Sequence, residues 1–248
     1  MQHQPTLTAR AERTAMGVTC TVTIVGNNAP VIAHECLDFV KDLEHLWSRF
    51  DANSDISRLN NANGQPMWVD SRTTQLLRQV VAAHGATGGL FNPTVLPMQI
   101  AAGDSHSLID SGECKIPVHA HPFEDLSPIT FFEEGRIALP ADMSLDMGGI
   151  AKGFAADATV QLALSLGATG ACVNIGGDMA LQTGDIAGWD IEIASPRDYT
   201  HIVDTVRIAN GGVATSSLFA RARDAKGIPS HLFNNEGAYP TDKTVRSE

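Results

Sequence analysis

The segment SLDMGGIAKG, Ser144–Gly153, combines an acidic residue, two adjacent glycines and a lysine at the start of a predicted helix. A glycine turn that leads into a helix leaves backbone N–H groups unpaired near the positive end of the helix dipole. Such an arrangement suits an anion, most naturally a phosphate, and Lys152 would add a point charge. The alternative is a tight strand-to-helix turn with an ordinary surface lysine, because glycine turns are common.

Five further segments that combine polar residues with glycine or proline lie at the ends of predicted strands or helices. They are SRFDANSDISRLN, FNPTVLPM, VNIGGDMAL, VATSS and HLFNNEGAYP. Their spread along the chain predicts several loops that converge on one extended ligand, and a dinucleotide is long enough to need that many contacts. Gly148–Gly149 and Gly176–Gly177 would let the backbone approach a pyrophosphate closely.

The elements that must position these segments are predicted from hydrophobic periodicity and from glycine and proline positions. The first half of the chain is predicted to contain a strand over Gly17–Gly26, a helix of about twenty residues from Pro30, a polar loop over Asp51–Pro66 and a helix from Ser71 as N-cap to near Gly88. A hairpin that turns at Glu134–Gly135 and a helix that follows SLDMGGIAKG and stops at Gly167 come next. The last part is predicted to contain strand-like runs in ACVNIGGDMAL, GWDIEIA and HIVDTVRIAN, and then a polar tail from Gly211 without periodicity. One α+β domain is the simplest architecture for this series.

The polar segments, in this order, resemble those of the FAD:protein FMN transferases, the ApbE-type flavin transferases. FNPTVLPM is similar to that family's F-D-P-T-V-G-P-L segment, and DMGGIAKGFAAD to its D-L-G-G-I-A-K-G segment with the A-x-D that follows. SRFDANSDISRLN, VNIGGDMAL and VATSS match further family segments. The resemblance covers about Met16 to Pro240, nearly the whole chain.

The resemblance implies an α+β fold, a single domain of the T-fold type with an elongated FAD-binding cleft. We expect residues 1–15 to be a mobile N-terminal extension and 16–248 to be the flavin-transferase domain, which ends before the further strand and helix that the family normally adds. Family members use Mg²⁺ to cleave the pyrophosphate of FAD and attach FMN to a Thr or Ser of a partner flavoprotein. The implied ligands are FAD and Mg²⁺, and the implied partner is an acceptor flavoprotein.

Transferred position by position, the resemblance implies three sets of site residues. The catalytic set is His231, Lys152 and Asp146, with His231 as the general base or as the group that orients the acceptor. The metal set is the backbone carbonyl of Ala151 together with Asn234 and Glu236. Met16 and Phe50 would pack on the isoalloxazine, although ordinary core packing is the alternative for both. The whole set implied to bind FAD is Met16, Phe50, Asn60, Asn92, Thr94, Gly148, Gly149, Lys152, Gly176, Gly177, Asp178, Thr215 and Ser216.

The chain departs from the family pattern at HLFNNEGAYP, where the family reads H-hydrophobic-hydrophobic-D-P-x-T-G-x-P. Asn234 and Gly237 replace an Asp and a Thr that help to hold Mg²⁺ in the family, so a negative charge and a hydroxyl are lost. Glu236 is the nearest replacement carboxylate, and Asn92 also stands where Asp is usual. Three activities stay open: a transferase, an FAD-binding protein with a degenerate metal site, and an FAD pyrophosphatase that releases FMN and AMP.

Composition excludes some other classes of function. The formal net charge of −11 over 248 residues argues against a nucleic-acid-binding surface, which needs a basic face. No run approaches the roughly 20 apolar residues of a membrane helix, and the N-terminus has no apolar signal core. The four cysteines are scattered without a C-x-x-C pair, as expected of reduced thiols in a core.

Overall fold

The computed structural model describes residues 7–107, 112–184, 187–195, 198 and 200–216. In chain order its elements are β1 (Thr8–Ala15), β2 (Val18–Val25), α1 (Ala29–Trp47), α2 (Asp55–Asn60), β3 (Met67–Trp68), α3 (Ser71–Ala86), a 3-10 turn (Pro93–Val95), α4 (Leu96–Ala101), β4 (Thr130–Phe131), β5 (Arg136–Ala138), α5 (Ala151–Ser165), β6 (Gly170–Ile175), β7 (Asp178–Gln182), β8 (Trp189–Ala194), β9 (Ile202–Ile208) and β10 (Asn210–Ala214). The α+β prediction is confirmed. The described residues form two compact units, 7–44 with 150–216 and 45–149.

The first unit is built on a five-stranded antiparallel sheet with the order β1-β2-β6-β7-β10. Along β2, Cys20, Val22 and Ile24 are buried while the residues between them are partly exposed, as the twofold repeat of a strand with one covered face requires. The predicted strand over Gly17–Gly26 is therefore confirmed as β2. On β6, Val173 and Ile175 add to the same core.

Strand β1 was not expected, because residues 1–15 were predicted to be a mobile extension. Residues Thr8–Ala15 instead pair with β2 along their whole length, from Thr8 opposite Val25 to Ala15 opposite Val18. Ala15 is the one buried residue of this strand. Backbone pairing with β2 therefore holds β1, and such pairing leaves little hydrophobic pattern in a sequence.

Helix α5 packs on β6 and β7 in the first unit. Its buried face is mostly small, which allows close approach: Cys36 Sγ of α1 lies 3.9 Å from the carbonyl oxygen of Thr159. Both helices were predicted. The structure starts α5 at Ala151, inside the glycine-lysine segment, and Gly167 follows its end with a φ of 95° that favours glycine.

The second unit packs helices α2, α3 and α4 with a small antiparallel sheet of the order β3-β5-β4. The predicted hairpin is confirmed as β4 and β5, and Gly135 has a φ of 82° in its turn. Aliphatic and methionine side chains from these elements and their loops form the core of this unit. They include Ile56, Leu59, Leu76, Leu77, Val80, Leu96, Leu126, Ile137, Leu139, Met143 and Leu145.

Side-chain caps explain two differences from the predicted helices of the second unit. Within the expected loop Asp51–Pro66, Ser54 has extended backbone and its Oγ accepts from the Ser57 N–H at 3.0 Å, which starts the short helix α2. For α3 the N-cap is Asp70, whose carboxylate accepts from the Arg72 N–H at 2.8 Å. Ser71, predicted as the cap, is instead the first helical residue.

Strands β8 and β9 form a separate two-stranded antiparallel sheet, and β10 completes the large sheet beside β7. The run predicted as a patternless tail from Gly211 thus contributes most of a strand. Its sequence, NGGVA, pairs through the backbone and has few side chains that could signal burial. Among the described residues, no helix is both long enough and apolar enough to cross a bilayer.

Candidate functional site

In the second unit, the backbone around Asp146 is fixed by a buried amide from α2. Asn60, the last residue of α2, is 3% exposed. Its Oδ1 accepts from the Leu145 N–H at 2.8 Å and its Nδ2 donates to the Leu145 carbonyl oxygen at 2.9 Å. The Asp146 N–H then donates to the carbonyl oxygen of Pro93 at 2.8 Å. The main chain that carries the Asp146 side chain is therefore held on two sides.

The carboxylate of Asp146 accepts two long hydrogen bonds and forms one long ion pair without a hydrogen bond. Arg49 Nε lies 3.4 Å from Oδ1, while Gln99 Nε2 at 3.4 Å and the Gly148 N–H at 3.3 Å approach Oδ2. The Asp146 side chain is 14% exposed. A carboxylate has about four acceptor positions, and these contacts are longer than a normal charged hydrogen bond. The group is therefore oriented without being tightly bound.

Arg49 is itself held from three directions. Its Nη2 lies 2.7 Å from Asp104 Oδ2, its Nη1 donates to Gln99 Oε1 at 3.2 Å, and its guanidinium carbon lies 4.7 Å from the centroid of the Phe50 ring. The Arg49 side chain is 9% exposed. A buried guanidinium needs such partners, because an unpaired charge in this setting would be costly.

Asn92 and Thr94 fasten the loop that contains Phe123. Asn92 Oδ1 accepts from the N–H and hydroxyl of Thr94 at 2.9 and 2.7 Å, and its Nδ2 donates to the Phe123 carbonyl oxygen at 2.8 Å. The Phe123 N–H donates to Thr94 Oγ1 at 2.7 Å. An ionised Asp at position 92 could not donate a hydrogen bond to the Phe123 carbonyl oxygen. This bond is a structural reason for Asn at position 92.

Gly148 and Gly149 are both exposed and lie where a side chain would crowd its neighbours. A Cβ on Gly148 would lie 2.9 Å from Asp146 Oδ2, and one on Gly149 would lie 3.1 Å from the Phe91 ring. Because Gly148 has no side chain, the Asp146 carboxylate can approach the N–H of Gly148. The second glycine allows the backbone to lie against an aromatic face.

In the first unit, Lys152 forms a direct ion pair with Asp178. Lys152 is the second residue of α5 and Asp178 the first of β7. Their Nζ and Oδ2 atoms lie 2.7 Å apart, and the two side chains are 19% and 20% exposed. Since Ile150 at the N-cap of α5 provides no side-chain hydrogen bond, Lys152 brings a polar side chain to the start of this helix.

Gly176 and Gly177 form the two-residue turn between β6 and β7. Their φ values of 62° and 97° are those of a turn whose central residues are both left-handed, the turn that best fits a two-residue hairpin. The Gly177 N–H donates to Asn174 Oδ1 at 2.8 Å, and its carbonyl accepts from the Thr215 N–H at 3.1 Å. The fold alone therefore explains this glycine pair, and it places Thr215 beside the turn.

Met16 and Gly17 form a similar turn between β1 and β2. Met16 has a φ of 51°, which is uncommon for a residue with a side chain, and Gly17 has a φ of 75°. The Met16 N–H donates to Glu44 Oε1 at 2.8 Å. This side-chain acceptor on α1 fixes the turn, and the Met16 side chain is left half-buried.

Comparison with known proteins identifies the family. A model of the ApbE family matches residues 16–248. The chain belongs to the ApbE family.

Related proteins from this family extend the match. A protein of Treponema pallidum named FAD:protein FMN transferase is 27% identical, over 96% of this chain and 72% of its own length. One from Klebsiella pneumoniae with the same name is 24% identical, over 87% of this chain and 69% of its own length. The solved ApbE protein of Thermotoga maritima has a TM-score of 0.79 at 24% identity and covers 94% of this chain and 78% of its own. The solved flavin transferase ApbE of Vibrio cholerae has a TM-score of 0.73 at 19% identity, over 96% and 79%. The ApbE fold of this chain is thus shown.

The residues that the ApbE resemblance assigned to FAD lie in both units. Within the first unit, direct contacts link Lys152 to Asp178 and Gly177 to Thr215, and exposed Ser216 comes next in the chain. Within the second unit, Asn60, Asn92 and Thr94 use their side chains to hold neighbouring backbone. Phe50 is half-buried beside Arg49. Contact of any of these residues with FAD stays a prediction.

Magnesium is the metal that the ApbE resemblance implies, and the donors present among the described residues do not form a site for it. Ala151 is the first residue of α5, while Asn234, Glu236 and His231 lie outside the described residues. In the part of the chain that the structure describes, no three His, Cys, Asp or Glu side chains are close enough to hold a metal ion. The magnesium site therefore stays a prediction from sequence.

Sequence reasoning missed the group formed by Arg49, Gln99 and Asp104. Arg49 comes directly before Phe50 in SRFDANSDISRLN, and the ApbE resemblance assigned Phe50 to the flavin site without assigning a role to Arg49. Asp104 and Gln99 are far from Arg49 in the chain, and no local pattern indicates that they meet. A signal was present in the arginine itself, because an arginine next to a polar loop and a core helix usually needs a carboxylate partner.

Proposed function

We propose that this chain is an FAD:protein FMN transferase that uses Mg²⁺ to attach FMN to a Thr or Ser of a partner flavoprotein. The observation that carries the proposal is the match of the ApbE family model to residues 16–248. The name FAD:protein FMN transferase on relatives from three bacteria supports the same reaction. The partly buried charge of Lys152 is a suitable group for binding a phosphate, and the carboxylate of Asp146 is a suitable neighbour for a cation that accompanies the phosphates.

The proposed step is a phosphoryl transfer. The acceptor hydroxyl oxygen forms a bond to the phosphorus of the FMN half of FAD. The bond from that phosphorus to the bridging pyrophosphate oxygen breaks, and AMP leaves with that oxygen. The hydroxyl proton passes to a general base, for which His231 is our candidate. Mg²⁺, when bound, would neutralise charge on the phosphate oxygens.

Lys152 would contact a substrate phosphate directly, whereas Asp146 is an anion and would need a cation or a hydrogen-bond donor of the substrate as its partner. The Lys152 ammonium, held 2.7 Å from Asp178, can turn one of its three N–H donors toward a phosphate oxygen while Asp178 keeps another. Asp146 accepts only long contacts and so retains acceptor positions. Positioning and charge stabilisation are the main contributions a protein makes to this class of reaction.

A second function, FAD binding without transfer, is favoured by one observation on the sequence. Asn234 and Gly237 stand where the family has an Asp and a Thr that help to hold Mg²⁺. An amide and a glycine are poorer ligands for a hard divalent cation than a carboxylate and a hydroxyl. This function predicts that FAD binding survives EDTA and that FAD is recovered intact.

One assay separates these functions. Flavin-free protein is incubated with FAD and the acceptor protein of the Vibrio cholerae relative, with Mg²⁺ or with EDTA. Covalent flavin on the acceptor is read by in-gel fluorescence, and AMP and FMN by chromatography. We expect a fluorescent acceptor and an equal amount of AMP with Mg²⁺, and neither with EDTA.

The controls make every alternative outcome of this assay interpretable. The Vibrio cholerae enzyme in parallel shows that the acceptor is competent. Free FMN and AMP without labelled acceptor would replace the transferase by a pyrophosphatase. Bound but intact FAD in both conditions would support the binding protein.

A further inference from the structure

Arg49 forms ion pairs with two carboxylates of the second unit, and only the pair with Asp104 includes a hydrogen bond. Its Nη2 lies 2.7 Å from Asp104, whereas its Nε lies 3.4 Å from Asp146. Guanidinium groups readily form two parallel bonds with one carboxylate, yet Arg49 forms no such pair with Asp146. The side chain of Asp104 is 28% exposed and that of Asp146 14%, so the tighter bond goes to the more hydrated partner.

The remaining contacts keep Arg49 in this position. Gln99 bridges the two groups, because its Oε1 accepts from Arg49 at 3.2 Å and its Nε2 approaches Asp146 at 3.4 Å. The Phe50 ring covers the guanidinium at 4.7 Å. Together with the bond to Asp104, these contacts fix the plane of the guanidinium and keep Nε at 3.4 Å from Asp146, without a hydrogen bond.

We propose that Arg49 is a positioning residue for Asp146, and that Asp104 prevents Arg49 from closing a two-bond ion pair with Asp146. The inference rests on the proposed function, in which Asp146 acts at the phosphates of FAD. By holding Asp146 at 3.4 Å, Arg49 orients the carboxylate and leaves its oxygens able to accept from other groups. Asp104 acts on Asp146 through Arg49.

The two residues should therefore fail in different ways. In Asp104→Asn the guanidinium loses its charged partner and turns toward Asp146, which ties up the carboxylate. In Arg49→Met the carboxylate keeps its charge and loses its orientation. In the double variant no guanidinium remains for Asp104 to hold, so the effect should equal that of Arg49→Met alone.

The test is a double-mutant cycle on single-turnover FMN transfer at saturating FAD and Mg²⁺, with FAD affinity measured separately by flavin fluorescence. We expect each single variant to slow transfer by about ten- to a hundredfold, with FAD affinity changed by less than about threefold, a difference under 1 kcal/mol. The double variant should be as slow as Arg49→Met. Arg49→Lys, which keeps the charge without the planar fork, should stay slow.

A matched pair on the β8–β9 sheet controls for loss of an arginine and an aspartate. Arg207 and Asp190 are joined at 2.6 and 2.7 Å and are both exposed, so Arg207→Met and Asp190→Asn should leave transfer unchanged. Additive losses in the Arg49–Asp104 cycle, or a wild-type transfer rate in Asp104→Asn, would overturn this inference and leave the proposed function standing. A wild-type protein that releases no AMP would overturn the proposed function, and the inference with it.

Discussion

Lys152 has its charge matched by Asp178 before any ligand is present. Both side chains are about four-fifths buried, and their atoms lie 2.7 Å apart. A buried ammonium without a partner would be costly, so Asp178 makes a lysine at this position compatible with the fold. If Lys152 binds a phosphate as proposed, Asp178 already restricts the position of its ammonium group.

Lys152→Met should weaken FAD binding by about ten- to a hundredfold, because a hydrogen bond to a charged group contributes about 1.5–3 kcal/mol. The matched control is Lys115→Met, which removes a lysine whose side chain is 77% exposed and lies 3.8 Å from Glu113. Titration of flavin fluorescence measures both. Equal affinity of the two variants would remove Lys152 from the phosphate site.

Asn92 offers a second prediction at the scale of one side chain. Asn92→Asp restores the residue that is usual in the family but removes the donor to the Phe123 carbonyl oxygen. The free energy of unfolding should fall by about 1–3 kcal/mol, because that carbonyl keeps only the 3.3 Å contact from Thr94 Oγ1 and faces a carboxylate. Urea unfolding measures the change. The exposed residue Asn53 provides the control, since Asn53→Asp should change stability by less than about 0.5 kcal/mol.

At the scale of elements, two glycines should respond to alanine with opposite signs. Gly176 in the β6–β7 turn has a φ of 62°, and an added Cβ would lie 2.7 Å from Val18 Cβ on β2. Gly153 lies inside α5, and a Cβ there meets nothing within 4 Å. Gly176→Ala should lower the free energy of unfolding by about 1–3 kcal/mol, and Gly153→Ala should raise it by about 0.5–1 kcal/mol.

Chemical denaturation of the two variants beside the wild type measures both changes. If Gly176→Ala were as stable as the wild type, the turn would not have the left-handed geometry described here. A destabilised Gly153→Ala would mean that the glycine serves a purpose other than helix formation at the start of α5.

The elements that the sequence predicted are those with a strong pattern of their own. Helix α5 and strand β2 have clear periodicity and defined ends. Strands β1 and β10 have neither, because β1 buries only Ala15 and β10 is rich in glycine, and both are specified by the strands beside them. The group around Arg49 could not be predicted for a related reason, because Asp104 and Gln99 are far from Arg49 in the sequence and contact it only in the folded chain.

At the scale of the whole molecule, the four thiols should make the free energy of unfolding fall as the pH rises into the alkaline range. Burial is the main cause that raises the pKa of Cys20, Cys114 and Cys172 to about 11 and that of Cys36 to about 12, from a reference of 9.0. Between these values the unfolded chain has lost thiol protons that the folded chain keeps. Stability contributed by the buried thiols is therefore complete below pH 9 and declines as the pH rises toward 11 or 12.

Cys36→Ala tests this linkage, because it removes one titrating group from the core. Between pH 9 and 11, the free energy of unfolding of the variant should fall less steeply than that of the wild type, by about 1.4 kcal/mol per pH unit. Urea unfolding at several pH values gives the two slopes. The variant has a lower stability at neutral pH, so the slopes and not the absolute values are compared. Parallel slopes would contradict the burial of this thiol.

The order of strands in the large sheet has a consequence for how the chain is made. Strand β2 pairs with β6, so Val25 must meet Gly170, and residues 26–169 are translated between them. At usual rates of synthesis, on the order of ten seconds pass after β2 leaves the ribosome before β6 follows it. During this time one edge of the β1–β2 hairpin lacks its native neighbour and is open to other strands. Slow codons between the two strands would prolong that exposure, and a chaperone that binds nascent strands would act at this stage.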